Sequence, residues 1–244
     1  MTKKVFWDDP YRTTLDTVVS HVDGARVRVD ATIFFAFSGG QESDAGSLGG
    51  YPVVQADKQG LDIVYTLPHD HSLRVGDRVT WCIDWTRRYR LMRLHFAAEM
   101  VLQLVYRLRP GIERIGAHIG QDKARIDFAS DTSVAPLFPE IESAAADLSK
   151  RDLRIATDFS DVDTQRRYWT VDGFSTMACG GTHPASTGEI GMLTLKRRNT
   201  GKGKERIEVM LVEPERAGGQ RGDADSRRPV SVKDRSSPEG GKRL

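Results

Sequence analysis

The segment "TRRYRLMRLHFAAEMVLQLVYRL", Thr86 to Leu108, limits the fold more than any other part of the chain. Its apolar residues fall at Leu91, Leu94, Ala98, Val101, Leu102 and Val105, the spacing of one helical stripe, and Pro110-Gly111 stops it. This predicts a helix of about six turns. A helix in water owes most of its stability to burying such a stripe, so the flanking chain must supply a cover.

That flanking chain reads as β structure on the N-terminal side. "TVVSHVDGARVRVDATIFF" breaks at Asp23-Gly24 and "GYPVVQADKQGLDIVYTL" at Gln59-Gly60, both hairpin signals, and "LRVGDRVTWCIDW" adds a strand after a Gly-Asp turn. Short strands at this spacing predict a small barrel. Beyond the helix, "GAHIGQDKARIDFA" reads as a hairpin, "PEIESAAADLSKRD" as a second helix, and "LRIATDFS" and "TLKRRNTGKGKERIEVMLVE" as strands. The expected class is α+β, with a β-barrel and a glycine-rich loop in 1–86 and an α+β domain in 87–213. No internal repeat of 20 to 50 residues is visible.

Composition narrows the setting. No apolar run approaches the roughly 20 residues of a membrane helix, and the two lysines near the start precede no apolar stretch of a signal peptide. A cytoplasmic protein without membrane contact is expected. Two cysteines, Cys82 and Cys179, are too few for a disulfide framework and leave their thiols free for metal. The formal charge of +2 is uneven, because 214–244 carries eight Lys/Arg against five Asp/Glu while the rest carries 28 against 29. That tail is rich in Gly, Ser, Pro and charge, and is expected to be disordered.

Four constellations bear chemistry. His95 and Glu99 lie four apart on the long helix, one turn above each other on the same face. Taken alone such a pair is usually a solvated one, and Phe96 excludes the metalloprotease helix, which needs its glutamate directly after the first histidine. Cys179 and His183 flank "GGT", and Gly180-Gly181 let the backbone double back so that a sulfur and a ring nitrogen converge. Together these four side chains make a plausible zinc shell with bonds of about 2.0–2.3 Å. The loop "FAFSGGQESDAGSLGG" lacks the lysine and following helix of a phosphate cradle, yet its backbone amides beside Gln41 are candidates for gripping a ligand. Last, Lys196, Arg197, Arg198, Lys202, Lys204 and Arg206 cluster around a strand-turn-strand, either a solvated turn or a phosphate-binding surface, with Arg87, Arg88 and Arg90 as the other basic cluster.

Together, "DPY", "ATIFF…SGGQESDAG", "IDWTRRYRLMRLH", "HIG" and "CGGTH…TGEIG" resemble, in order over about residues 6–213, the free-standing alanyl-tRNA editing proteins (AlaX type, longer form), relatives of the editing domains of alanyl- and threonyl-tRNA synthetases. The resemblance implies an N-terminal barrel ahead of a synthetase-type editing domain. It implies a deacylase for mischarged tRNA, chiefly seryl-tRNA that should carry alanine and also glycyl-tRNA, with one Zn2+ per chain on His95, Glu99, Cys179 and His183. Thr32 matches the family's pocket threonine, and Gly39, Gly40 and Gln41 fall in its substrate loop. Lys196, Arg197, Arg198, Lys202 and Lys204 are the expected RNA contacts. Two departures stand out. Glu99 replaces a second helical histidine, and Ala36-Phe37-Ser38 stands where the family commonly has Pro-Glu-Gly. A tRNA-binding module that lost the chemistry and a Cys179-His183 nucleophilic hydrolase are the alternatives, and monomer and homodimer both stay open.

Overall fold

The computed structural model describes residues 1–212; the expected tail, 214–244, lies outside the described residues. Its first strands are β1 (Lys3–Lys4), β2 (Thr14–Asp23), β3 (Arg26–Val29), β4 (Ala31–Thr32), β5 (Gly46–Leu48), β6 (Tyr51–Pro52), β7 (Gln55–Gln59), β8 (Asp62–Thr66) and β9 (Arg78–Ile83). The two expected hairpins form, pairing Asp23 with Arg26 and Gln59 with Asp62. Seven of these strands make one antiparallel sheet in the order β6-β5-β9-β2-β3-β8-β7.

The ten-residue β2 changes partner along its length. Thr14 to Val18 pair with β9, and Val19 to Asp23 pair with β3, with an irregularity between Val19 and His21. A bulge bends its strand and increases local twist, and the sheet curls into a half-barrel with β6 and β7 at its edges. Its interior is packed by Val27, Leu48, Leu67 and the ring trio Phe34, Tyr65 and Trp81, with centroids 4.7 to 5.6 Å apart.

The long helix follows directly as α1 (Trp85–Leu108), opened by Asp84, whose side chain accepts from the Arg87 amide at 3.1 Å. The apolar spacing predicts one buried stripe; in the structure every residue from Leu94 to Leu102 is buried. The reason is that α1 is covered on more than one side. After it come β10 (Glu113–Ile119), β11 (Ala124–Ala129), α2 (Phe138–Arg151), β12 (Ala156–Asp161), β13 (Arg166–Val171), β14 (Ser175–Ala178), β15 (Leu193–Asn199) and β16 (Lys204–Leu211). The antiparallel sheet β10-β11-β16-β15 and α2 pack on α1, while Trp169 of the sheet β12-β13-β14 meets Phe96 edge-on at 5.0 Å. That last sheet's second hairpin had a signal in Asp172-Gly173 and in the alternation of Arg167, Trp169 and Val171, all buried. Among the described residues no helix is long and apolar enough to cross a membrane.

One polar contact ties α1 to the glycine-rich loop. Arg88 and Asp44 have side chains with 0% exposure and form a two-pronged pair, with Nε to Oδ1 at 2.7 Å. Arg88 also donates to the carbonyls of Pro10 and Ile33, and Asp44 accepts from the Phe35 amide at 2.6 Å. Removing one partner strands the other charge in a dry site. Asp44→Ala is therefore expected to lower stability by about 3–5 kcal/mol, measured as a shift in the urea unfolding midpoint.

Candidate metal centre and its surroundings

His95 and Glu99 project from the buried middle of α1, and the chain after β14 returns across them as Cys179-Gly180-Gly181-Thr182-His183. The ligand atoms of His95, Glu99, Cys179 and His183 all lie within 4.8 Å of one another. Individual separations are 3.4 Å from Cys179 Sγ to His95 Nε2, 3.3 Å from His95 Nε2 to Glu99 Oε1 and 3.0 Å from His183 Nε2 to Glu99 Oε2. Tetrahedral bonds of about 2.0–2.3 Å place neighbouring ligands roughly 3.3–3.8 Å apart, so the quartet is close to the size of one zinc shell. Nitrogen, oxygen and sulfur donors in this mixture suit that ion.

The return loop fits only because of Gly181. A Cβ there would fall inside the van der Waals radius of His95 Cε1 and within 2.8 Å of Gln41 Oε1. Gln41 is fully buried and hydrogen-bonded at both ends of its side-chain amide. Its Nε2 donates to Thr182 Oγ1 at 2.9 Å, and its Oε1 accepts from the Thr182 amide at 3.3 Å and faces His95 Nδ1 at 2.5 Å. Because that oxygen only accepts, Nδ1 carries a hydrogen, and Nε2 is turned toward Cys179 and Glu99. Gln41 thus orients a histidine from behind.

Charge at the cluster is balanced closely. Burial alone would raise the Glu99 carboxyl, but the charge of His95 and hydrogen bonds from His183 and His95 outweigh it and hold Glu99 well below the usual carboxylate range. Burial, then the neighbouring Glu99, pushes the Cys179 thiol well up, and burial lowers His183. A thiol raised in this way is a poor nucleophile, which weighs against the nucleophilic-hydrolase alternative; a cation at the centre inverts the effect by binding the thiolate.

A small cavity of about 30 Å³ opens on the cluster, lined by His95 and Glu99 on one side and by Gly39, Arg114, Ala117 and Ile119 among the rest. Gly39 and Gly40 have φ of +61° and +88°, and a Cβ at Gly40 would lie 2.6 Å from the Ala117 carbonyl, so glycine lets this turn press on β10. Among the described residues neither glycine amide has a protein acceptor. Thr32 is not brought to this cavity. It is fully buried in the half-barrel, where its hydroxyl accepts from Tyr65 at 2.7 Å and from the Phe34 amide at 3.0 Å.

The basic hairpin β15-β16 is largely spoken for. Arg197 grips the buried Glu205 with two bonds of 2.6 Å, Arg198 reaches Glu208 at 3.4 Å, and Arg206 pairs with Asp127 at 2.5 Å. Lys196, Lys202 and Lys204 stay exposed. The other basic cluster is committed as well, since Arg88 is buried on Asp44 and Arg87 holds Glu42 at 2.8 Å. Sequence inspection missed Glu189, which accepts from Tyr11 and Tyr89 and fixes the segment carrying His183; the Ser186-x-x-Glu189 capping box was its signal.

This geometry can be set beside known proteins. The family described as threonyl and alanyl tRNA synthetase second additional domain matches residues 167–208, which include the Cys-Gly-Gly-Thr-His segment. The alanyl-tRNA editing protein AlaX-M of Methanosarcina barkeri is 31% identical over 248 residues, covering 87% of this chain and 100% of its own. The chain belongs to the AlaX-M family of alanyl-tRNA editing proteins. AlaX-M of Pyrococcus horikoshii is 29% identical over 227 residues, covering 86% of this chain and 98% of its own. The alanine–tRNA ligase of Ignicoccus hospitalis is 32% identical over 238 residues, covering 86% of this chain and 26% of its own. An AlaX-M chain is thus similar to one part of a much larger synthetase.

The cluster geometry gives a direct test. Gly181→Ala should force His95 from its place and cost about 1–3 kcal/mol by overpacking, read as a lowered thermal midpoint, whereas Gly180→Ala, where no atom lies within 4 Å of the added Cβ, should cost less.

Proposed function

We propose that this protein is a cytoplasmic trans-editing deacylase, hydrolysing the ester of tRNA(Ala) charged with serine and, as a second substrate, with glycine. The observation that carries this reading is the convergence of His95, Glu99, Cys179 and His183 beside a small cavity that His95 and Glu99 help to line. A module that only holds RNA has no need of such a quartet. The half-barrel, as the N-terminal part of the longer form, would carry the glycine turn to the editing domain.

His95 Nε2, Glu99, Cys179 Sγ and His183 Nε2 would hold one zinc ion. When bound, that ion supplies a positive charge able to orient the substrate's amino group or polarise water. The remaining work falls to the chain itself. Water attacks the ester carbonyl, the carbonyl oxygen becomes an oxyanion, and the terminal ribose oxygen leaves with a proton. The amides of Gly39 and Gly40, which have no protein acceptor among the described residues, would stabilise that oxyanion. Ala98, Leu102, Ile119 and Ile126 line the cavity and exclude bulk water, limiting the aminoacyl group to a small one. Lys196, Lys202 and Lys204 would meet tRNA phosphates, with Arg197 serving instead as a clamp on Glu205.

The metal and the basic turn are tested separately. Dialysis against a strong chelator should abolish deacylation of seryl-tRNA and zinc should restore it, while Gln41→Ala should weaken metal affinity about 10- to 100-fold by freeing His95, as read by competition with a chromophoric chelator. Unchanged turnover in the metal-free protein would sink the metal assignment, and hydrolysis of correctly charged alanyl-tRNA at a similar rate would sink the editing one. Reversing Lys196, Lys202 and Lys204 to glutamate should flatten the salt dependence of tRNA binding by a slope of about 0.7–0.9 for each phosphate no longer neutralised.

A further inference from the structure

The cavity beside the cluster admits only a small aminoacyl group, so the nucleotides that carry it must rest on the surface around its mouth. That rim has an unusual composition. Phe34, Phe35 and Ala36 are buried, but Phe37 next to them is 53% exposed. It is held in place: its amide donates to Ser43 Oγ at 2.8 Å, and Ser38 and Gln41 close the following turn with reciprocal bonds of 3.2 and 3.0 Å. An aromatic ring is thus presented to solvent on a fixed loop two residues from Gly39, which lines the cavity.

The facing wall is β10. Arg114 lines the same cavity, and between Arg114 and Gly116 the pairing with β11 is irregular, leaving Ile115 unpaired and 44% exposed. Bulges of this kind recur beside active sites, where they re-aim side chains. The two walls keep a fixed spacing, because the Ile119 amide donates to the Gly40 carbonyl at 2.7 Å and the Glu42 amide donates back to the Ile119 carbonyl at 3.0 Å.

We propose that the single-stranded 3′ end of tRNA docks on this rim, with its terminal base stacked on Phe37 and the adjoining phosphate held by Arg114. The inference rests on the editing reading above and assigns the nucleotide subsite of that same site. An exposed aromatic ring on the loop that carries Gly39 and a guanidinium on the cavity wall are the two group types by which single-stranded nucleic acid is gripped without reading its sequence. That tolerance suits an acceptor end common to all tRNAs, and places the ester over the cavity mouth.

The test uses the uncharged tetranucleotide 5′-ACCA-3′ and the full chain. Phe37→Ala should weaken its binding roughly tenfold by calorimetry, raise KM for seryl-tRNA by a similar factor with kcat unchanged, and leave the thermal midpoint where it was. Phe37→Tyr should restore both values, since a merely structural apolar role would be restored equally by Phe37→Leu. In Phe37→Trp, the added fluorescence over the wild-type background should be quenched by the tetranucleotide. Arg114→Gln should reduce the salt slope by about 0.7, one single-strand phosphate contact. Equal affinity of Phe37→Ala and wild type for the tetranucleotide, or full rescue by Phe37→Leu, would overturn the proposal. Binding needs no turnover, so intact stacking with no deacylation would count against the editing reading alone.

Discussion

The Arg88–Asp44 pair is the contact on which the geometry of the site depends. Both charges are removed from water, so each is tolerable only in the presence of the other. Asp44 ends the glycine-rich loop and Arg88 sits near the start of α1. Seven residues further along, on the same face of the helix, His95 meets Gln41 from that same loop. The loop is therefore fastened to the helix at two points, and the turn at Gly39 and Gly40 beside them has little freedom to move away from Glu99.

The same economy of position explains the cluster. A carboxylate buried beside two imidazoles stays ionised because their hydrogen bonds and charge outweigh its desolvation, whereas a buried thiol beside that carboxylate does not ionise unaided. The quartet is thus arranged for a cation and poorly arranged for a thiolate nucleophile. Glu99 in place of a second helical histidine adds negative charge to the set, which would bind a cation more firmly while lowering its acidity. The clamp formed by Glu189 on Tyr11 and Tyr89 holds the segment after His183 against both the N-terminal chain and α1, so the ligands from the two distant segments are fixed by contacts other than their own.

Much of this was legible in the residues. The apolar spacing of 91 to 105 and the stop at Pro110-Gly111 marked out α1; Asp23-Gly24 and Gln59-Gly60 marked two hairpins; and the pairing of His95 and Glu99 with Cys179 and His183 picked out the cluster. The roles of Gln41, Thr32 and Arg197 were not legible. A polar residue in a loop or strand looks equally available for substrate whether its hydrogen bonds are free or already taken by Thr182, Tyr65 or Glu205.

Local sequence determined the elements and the chemical types at the site, because helical period, turn residues and the i, i+4 offset act over a few residues and need no partner from elsewhere. Tertiary structure alone decided which polar groups remain free. Burial of α1 on several sides, the conversion of Arg88 from an apparent RNA contact into an internal clamp, and the capture of Gln41 by Thr182 all depend on contacts between distant segments, 44 positions apart in the first pairing and 141 in the second. Such long-range contacts determine what each charge and ring is left to do, since a hydrogen bond made inside the fold is one no longer offered to a ligand.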